Sequence, residues 1–154
     1  MKRSQSRFAQ KIQSFEIILK EISSLSVAQK MKVGAMAVKM DFSKIASFGY
    51  NGTYPGCPVN PETGGEEMSL SPGESGFLHA EDNMIAKFHE RDPENYMILQ
   101  TLSPCRDCTM RLVNAGFKHV YWIEEYRETG HLDIFESCGV KYGTIKNLIE
   151  NGIS

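Results

Sequence analysis

The stretch that decides the fold covers residues 79–108 and reads HAEDNMIAKFHERDPENYMILQTLSPCRDC. Its first part carries apolar side chains at helical spacing to about residue 90, where Arg91-Asp92-Pro93 ends the pattern. Residues 96–102 form an apolar run with the length of a buried strand. Ser103-Pro104 then begins a second helix, because proline at the first helical position loses no hydrogen bond. The stretch therefore predicts a helix–strand–helix unit.

The same alternation continues on both sides of this unit. Upstream, an apolar stripe predicts a helix over residues 8–25. Two short strands are predicted at 32–38 and 44–50, and the short connection between them favours an antiparallel hairpin. Downstream, the pattern predicts a strand at 119–123, a helix at 133–138, a short strand at 140–142 and a final helix from residue 144. This order predicts a single α/β domain over residues 1–154, a three-layer α/β/α sandwich with a mixed five-stranded sheet.

The overall composition narrows the class of protein. At 154 residues, with 41% apolar and 23% charged residues, the chain resembles one ordinary globular domain. The net charge of −2 gives no basic footprint, so a nucleic-acid polymer is not an expected partner. No apolar run is long enough to span a membrane, and the N-terminus lacks an apolar signal segment. We therefore expect no membrane partner and a cytoplasmic location.

Two short motifs in the deciding stretch combine a histidine, a glutamate and two cysteines. They are His79-Ala80-Glu81 and Pro104-Cys105-Arg106-Asp107-Cys108. One imidazole and two thiolates are ligands that zinc prefers, and a catalytic zinc site keeps its fourth position for water, which becomes acidic enough to ionise near neutral pH. We predict that His79, Cys105 and Cys108 hold one Zn²⁺. Glu81 is not needed as a ligand and is predicted to carry protons as the catalytic residue.

The residues alone leave other interpretations of the cysteines open. A C-x-x-C pair also occurs as a redox dithiol, although such a pair normally lacks an upstream His-x-Glu. A structural zinc site normally needs four protein ligands, and Cys57 or Cys138 could supply the fourth. Neither has a partner at the spacing of a zinc finger, so each is more simply interpreted as a free thiol.

A long segment rich in glycine and proline, residues 51–77, ends directly before His79. Loops of this length in a compact domain are usually functional or disordered, and this position favours a wall of the active site. Several aromatic residues could stack on a base. Tyr126, just beyond the end of a predicted strand, is the aromatic candidate that we favour.

With these residues in view, the chain resembles the deoxycytidylate (dCMP) deaminases of the cytidine deaminase superfamily, whose zinc signature is H-x-E followed by P-C-x-x-C. The resemblance extends from about residue 26 to residue 142. It rests on Lys32-Val33-Gly34-Ala35, Gly49-Tyr50-Asn51-Gly52, His79-Ala80-Glu81-Asp82-Asn83-Met84-Ile85, Ser103-Pro104-Cys105-Arg106-Asp107-Cys108 and Ala115-Gly116. It implies a cytidine deaminase-like fold and the hydrolysis of dCMP to dUMP and ammonia, which supplies dUMP for dTMP synthesis.

The resemblance also implies residues that bind the substrate. Asn51 would hydrogen-bond the sugar, and the backbone N–H of Ala80 would hold the pyrimidine O2. Ser26 and Lys32 would meet the 5′-phosphate. Ser103 and Tyr126 complete the set of substrate-binding candidates.

Family members are commonly homo-oligomers, and the resemblance implies such an assembly here, with a hexamer favoured. Many members are activated by dCTP with Mg²⁺ and inhibited by dTTP, so these nucleotides are the implied effectors. One departure bears on regulation: Thr53-Tyr54-Pro55-Gly56 stands where the family often has x-Pro-x-Gly, in a loop that helps to form the effector site of regulated members.

Three alternative functions stay open at this point. The chain could deaminate another cytosine nucleotide, or a base in RNA or DNA, as tRNA adenosine deaminases do. The polymer substrate predicts a basic cleft and usually a basic tail, whereas residues 150–154 are not basic. An inactive zinc-stabilised binding module would need a fourth protein ligand and would give Glu81 no role.

Overall fold

A computed structural model of the chain describes residues 2–28, 31–56, 77–125 and 131–153. The helices are α1 (Lys2–Ser23), α2 (Ala80–Ala86), α3 (Arg106–Asn114), α4 (His131–Ser137) and α5 (Ile145–Asn151). The strands are β1 (Gly34–Lys39), β2 (Ile45–Tyr50), β3 (Tyr96–Leu102), β4 (His119–Glu124) and β5 (Lys141–Thr144). Within these ranges, no helix has both the length and the apolar content required to cross a membrane.

The five strands form one mixed sheet in the order β2-β1-β3-β4-β5. β1 pairs antiparallel with both β2 and β3, whereas β3, β4 and β5 run parallel. Because β1 runs against its two neighbours, its first residue lies at the same edge of the sheet as the last residues of β2 and β3. The segments around Val33, Asn51 and Ser103 therefore meet at one edge, which is where the candidate site is built.

The sheet is covered on both faces. On one face, α2, α3 and α4 bury a cluster that includes Met84, Leu112 and Phe135 against Ile98 and Trp122 of the sheet. On the other face, α1 and α5 bury a second cluster: Ile12, Leu19, Met36, Val38, Met97, Leu99, Tyr121, Ile145 and Leu148. Two buried clusters separated by one sheet confirm the predicted three-layer α/β/α sandwich.

Several element bounds differ from the sequence prediction. α1 begins at Lys2 rather than at residue 8, and β5 covers Lys141–Thr144 rather than residues 140–142. α2 ends at Ala86, four residues before the predicted end. The chain leaves the helix there because Phe88 packs edge-on against Tyr96 and Phe117, with ring centroids 5.1 and 4.9 Å apart.

Candidate metal centre and active site

Both sequence motifs lie at the start of a helix, as predicted. His79 is the residue that precedes α2, and Cys105 is the residue that precedes α3. The Cys105 sulfur accepts a hydrogen bond from the backbone N–H of Cys108 at 3.5 Å, so this cysteine also caps its helix. The first turn of a helix presents unpaired amide groups, which favour a thiolate at that position.

The three predicted metal ligands converge. His79 Nδ1 lies 3.7 Å from Cys105 Sγ and 3.2 Å from Cys108 Sγ. All three ligand atoms lie within 4.8 Å of one another. In a tetrahedral zinc site a nitrogen and a sulfur ligand are about 3.6 Å apart, so these distances and this donor set fit zinc. Among the described residues Cys138 does not join the group, and Cys57 lies outside them.

When no metal is bound, the electrostatics of the group favour the thiolate form of Cys105 and the thiol form of Cys108. The side-chain hydrogen bond with Cys108 lowers the pKa of Cys105 to about 3. The same hydrogen bond, followed by burial, raises the pKa of the Cys108 thiol. The hydrogen bond with Cys105 raises the pKa of His79. Metal binding must therefore displace the proton of the Cys108 thiol, as is usual for thiolate ligands.

Glu81 is the second residue of α2 and is 4% exposed. Burial raises the pKa of its carboxyl group, because desolvation disfavours the charged form. A carboxyl group with a raised pKa can hold a proton closer to neutral pH than an exposed glutamate can. Glu81 lies two residues after His79 in the sequence, but it is not a member of the ligand group.

The position of α2 depends on a glycine in β2. A Cβ on Gly49 would lie 2.5 Å from the Ala80 carbonyl oxygen and 2.5 Å from the Met84 backbone nitrogen, so only glycine allows this approach. Asn83 of α2 adds a hydrogen bond, donating from Nδ2 to the Tyr50 carbonyl oxygen at 2.9 Å. The start of α2 is thus held directly against the end of β2.

Asn51 joins the end of β2 to the segment before β1. Its Oδ1 accepts a hydrogen bond from the Val33 N–H, and its Nδ2 donates to the Met31 carbonyl oxygen, each at 2.8 Å. Gly52 forms a short antiparallel bridge with Leu78, the residue before His79. These contacts tie the predicted sugar-binding residue to the backbone that leads into the metal site.

The other predicted substrate contacts differ in their surroundings. Ser26 is 3% exposed, and its hydroxyl donates to the Asn51 carbonyl oxygen at 2.7 Å. Lys32 is exposed. Ser103 is buried, and its N–H donates to the Glu124 carbonyl oxygen. Tyr126, and residues 57–76 of the long loop, lie outside the described residues.

The sequence reasoning missed Arg111, which contacts both helices of the site. Its Nη1 lies 3.9 Å from Cys108 Sγ, and its Nε lies 3.4 Å from Asp82 Oδ1. The available signal was its position three residues after a predicted ligand on a predicted helix, where side chains share a face.

Comparison with known proteins points to one family. Residues 9–124 match the family described as the cytidine and deoxycytidylate deaminase zinc-binding region. An uncharacterized deaminase in the luxG 3′ region of Aliivibrio fischeri is 32% identical over 104 residues, which cover 68% of this chain and 66% of that protein. Human deoxycytidylate deaminase is 31% identical over 118 residues, which cover 72% of this chain and 66% of that protein. The chain thus matches slightly less than two thirds of the length of both relatives.

A solved structure agrees with these relatives. The dCMP deaminase of cyanophage S-TIM5, determined in complex with dCMP and dUMP, superposes with a TM-score of 0.72 and is 31% identical. The match covers 86% of this chain and 94% of the phage protein.

Proposed function

This chain belongs to the cytidine and deoxycytidylate deaminase family, and from that premise we propose that it hydrolyses dCMP to dUMP and ammonia and so supplies dUMP for dTMP synthesis. The observation that carries the proposal is the convergence of His79, Cys105 and Cys108 beside the buried Glu81. The similarity to the cyanophage dCMP deaminase over most of both chains supports dCMP as the substrate.

In this proposal each residue of the metal centre has a distinct task. His79, Cys105 and Cys108 would hold one zinc ion in each chain, and a zinc ion bound there would supply a water molecule that is nucleophilic near neutral pH. Glu81 takes a proton from the attacking water and delivers it to the pyrimidine N3. It then takes the second proton of the same water, from the hydroxyl group now bonded to C4, and delivers it to the exocyclic nitrogen; the C4–N bond breaks, ammonia leaves and the water oxygen becomes the new carbonyl oxygen.

The substrate-binding part of the proposal follows from the contacts around the site. Ala80 is the first residue of α2, so its N–H is one of the helix donors without an intrahelical partner and can hold the pyrimidine O2. Asn51 retains one N–H and one lone pair beyond its two backbone contacts, which suits a sugar hydroxyl. The Ser26 hydroxyl already bonds to Asn51 and Ala28, so the exposed Lys32 is the better supported phosphate contact. Ser103 and Tyr126 remain substrate-binding candidates.

We propose three further features of this protein. The resemblance to deoxycytidylate deaminases motivates a homo-oligomer, with a hexamer favoured, and control by dCTP and dTTP with Mg²⁺, and the third feature is a cytoplasmic location. Sedimentation of the zinc-loaded protein with and without dCTP tests the assembly and its response to the effector.

The decisive experiment follows the ultraviolet change when zinc-loaded protein is mixed with dCMP, deoxycytidine, dCTP or a tRNA, each in a separate reaction. We expect rapid turnover of dCMP and little of deoxycytidine, because the phosphate contact is lost. Glu81→Gln should abolish turnover while it keeps one zinc per chain, and Glu150→Gln, on the exposed face of α5, should leave turnover unchanged. Turnover of dCTP or tRNA instead of dCMP would replace the proposed substrate, and turnover by Glu81→Gln would remove Glu81 from its role.

A further inference from the structure

One cationic side chain bridges the two helices that carry the candidate metal ligands. Arg111 follows Cys108 by three residues on α3, so both side chains lie on one face of the helix. Its Nη1 lies 3.9 Å from Cys108 Sγ, within hydrogen-bond distance of a sulfur acceptor. The Nε of the same guanidinium lies 3.4 Å from Asp82 Oδ1 on α2. One side chain thus contacts a ligand on one helix and a carboxylate on the other.

Asp82 connects this bridge to the other half of the site. It directly follows Glu81 and lies three residues after His79. Glu81 is buried, whereas the Asp82 side chain is 25% exposed and pairs with Arg111. Arg111 therefore links the helix start that carries Cys108 to the helix start that carries His79 and Glu81.

The contact with Cys108 has a direct chemical consequence. A guanidinium group stays protonated in proteins, so Arg111 can only donate to the sulfur. Donation stabilises the thiolate, which is the form of cysteine that binds a metal. Groups that hydrogen-bond to metal ligands orient those ligands and adjust how strongly they donate to the metal.

We propose that Arg111 is a positioning residue of the metal centre. It holds the Cys108 thiolate and, through Asp82, fixes the start of α2 relative to α3, so that the three ligands converge on one zinc ion. This inference rests on the proposed function, because it assumes that His79, Cys105 and Cys108 bind the zinc ion. It assigns a supporting role to Arg111, which lies outside both sequence motifs. The Arg111 side chain is 52% exposed, and exposed ion pairs contribute little to global stability, so variants at this position should keep the fold.

The test is zinc affinity, measured by competition with a chromophoric chelator. The variants are Arg111→Met, Arg111→Lys and Asp82→Asn. Lys20→Met serves as the control, because it removes an exposed helix cation whose acidic partner, Glu16, lies 3.9 Å away. We expect Arg111→Met to bind zinc about tenfold more weakly, the lower end of the loss seen for partners of metal ligands. Arg111→Lys should recover part of this loss, and Lys20→Met should lose nothing.

Two further measurements separate positioning from a general structural effect. With Co²⁺ in place of zinc, the sulfur-to-cobalt charge-transfer band should shift in Arg111→Met and stay unchanged in Lys20→Met. In the double variant Arg111→Met with Asp82→Asn, the loss of zinc affinity should be no larger than in Arg111→Met alone, because the two residues act as one bridge.

The outcomes distinguish this inference from the proposed function. Unchanged zinc affinity and an unchanged cobalt spectrum in Arg111→Met would overturn the inference, and so would strictly additive losses in the double variant. A wild-type protein that binds no zinc would overturn the ligand set and this inference together. Zinc binding by the wild type without turnover of dCMP would reject the substrate alone, and the Arg111 comparison would still be decided by the affinities.

Discussion

Gly49 and Ala80 are in backbone contact, since a Cβ placed on Gly49 would lie 2.5 Å from the Ala80 carbonyl oxygen. This close approach lets the start of α2 lie directly on β2. His79 and Glu81 flank Ala80, so the same contact determines where a predicted metal ligand and the predicted proton carrier lie. A glycine in a strand is therefore part of the architecture of the candidate active site.

Replacing this glycine should damage activity more than stability. In Gly49→Ala the added methyl group meets backbone atoms, which cannot rotate away, so α2 must move. We expect the free energy of unfolding to fall by about 1–3 kcal/mol, as for other overpacked positions. Since a displacement of about 1 Å can cost roughly a hundredfold in rate, kcat/KM for dCMP should fall by about that factor. Chemical denaturation and steady-state kinetics measure the two effects.

Gly52 supplies the matched control for this substitution. It belongs to the same Gly-Tyr-Asn-Gly element, but a Cβ there would meet no atom of the described residues within 4 Å. Gly52→Ala should therefore change neither stability nor kcat/KM appreciably. Equal losses in the two variants would show that the contact with Ala80 is not the cause.

Asn51→Asp should separate the structural role of this side chain from its predicted sugar contact. The carboxylate can still accept from the Val33 N–H but cannot donate to the Met31 carbonyl oxygen. We expect a loss of about 1–3 kcal/mol in the free energy of unfolding, together with a higher KM for dCMP. Lys32→Met is the comparison, because loss of the exposed cation should raise KM without changing stability. Asn51→Asp with wild-type stability would contradict the backbone role of the amide.

Zinc should stabilise the folded protein against heat. At a free zinc concentration about one hundred times the dissociation constant, binding adds about 2.7 kcal/mol to the free energy of unfolding. For a domain of this size that corresponds to a rise in Tm of about 5–10 °C, measurable by scanning fluorimetry before and after chelation. Cys108→Ser should show no such rise. A zinc-dependent shift of equal size in Cys108→Ser would remove this cysteine from the ligand set.

His119 should make the protein less stable in mild acid. Burial, with a smaller contribution from Lys141, lowers the pKa of this imidazole below its ordinary value of about 6.5. The unfolded chain therefore binds the proton more readily than the folded chain, so stability is complete above about pH 6.5 and falls as the pH drops below that value. Unfolding by urea at pH 7.5 and pH 5.5 measures the loss.

His119→Gln isolates this contribution, because other titrating groups affect both proteins equally. The variant should lose less stability between the two pH values than the wild type. Tyr121, whose hydroxyl lies 3.4 Å from His119 Nδ1, stays neutral throughout because burial raises its pKa to about 12. An identical loss in both proteins would mean that His119 protonates as readily in the folded state as in the unfolded chain.

Much of the architecture could be predicted from residue patterns. The two motifs predicted that His79, Cys105 and Cys108 come together, because helix starts present side chains from separate segments at one end of a sheet. The order of helices and strands predicted the three-layer arrangement, because alternating strands and helices can cover both faces of a sheet in only a few ways. Helix ends were predicted less well: α2 ends early because Phe88 packs on Tyr96 and Phe117, and such tertiary contacts leave no local pattern.

The contacts that support the site could not be predicted from a single sequence. Asn51 was assigned to the sugar, yet its amide also joins Met31 to Val33, a contact between segments about twenty residues apart. The pairing of Arg111 with Asp82 links two helices separated in sequence by β3. Surface charges on a helix usually face solvent, so nothing in either motif singled out this pair.

The bridge between Gly52 and Leu78 has a consequence for how this chain can change during evolution. Residues 53–77 are closed off at their base by backbone hydrogen bonds, from the Gly52 N–H to the Leu78 carbonyl oxygen and from the Leu78 N–H to the Gly52 carbonyl oxygen. Because the entropy of closing a loop rises only slowly with its length, insertions and deletions between these two residues carry a small energetic penalty. The Gly52–Leu78 bridge thus holds the two ends of the segment together, so that a change in its length need not displace the neighbouring Asn51 and His79.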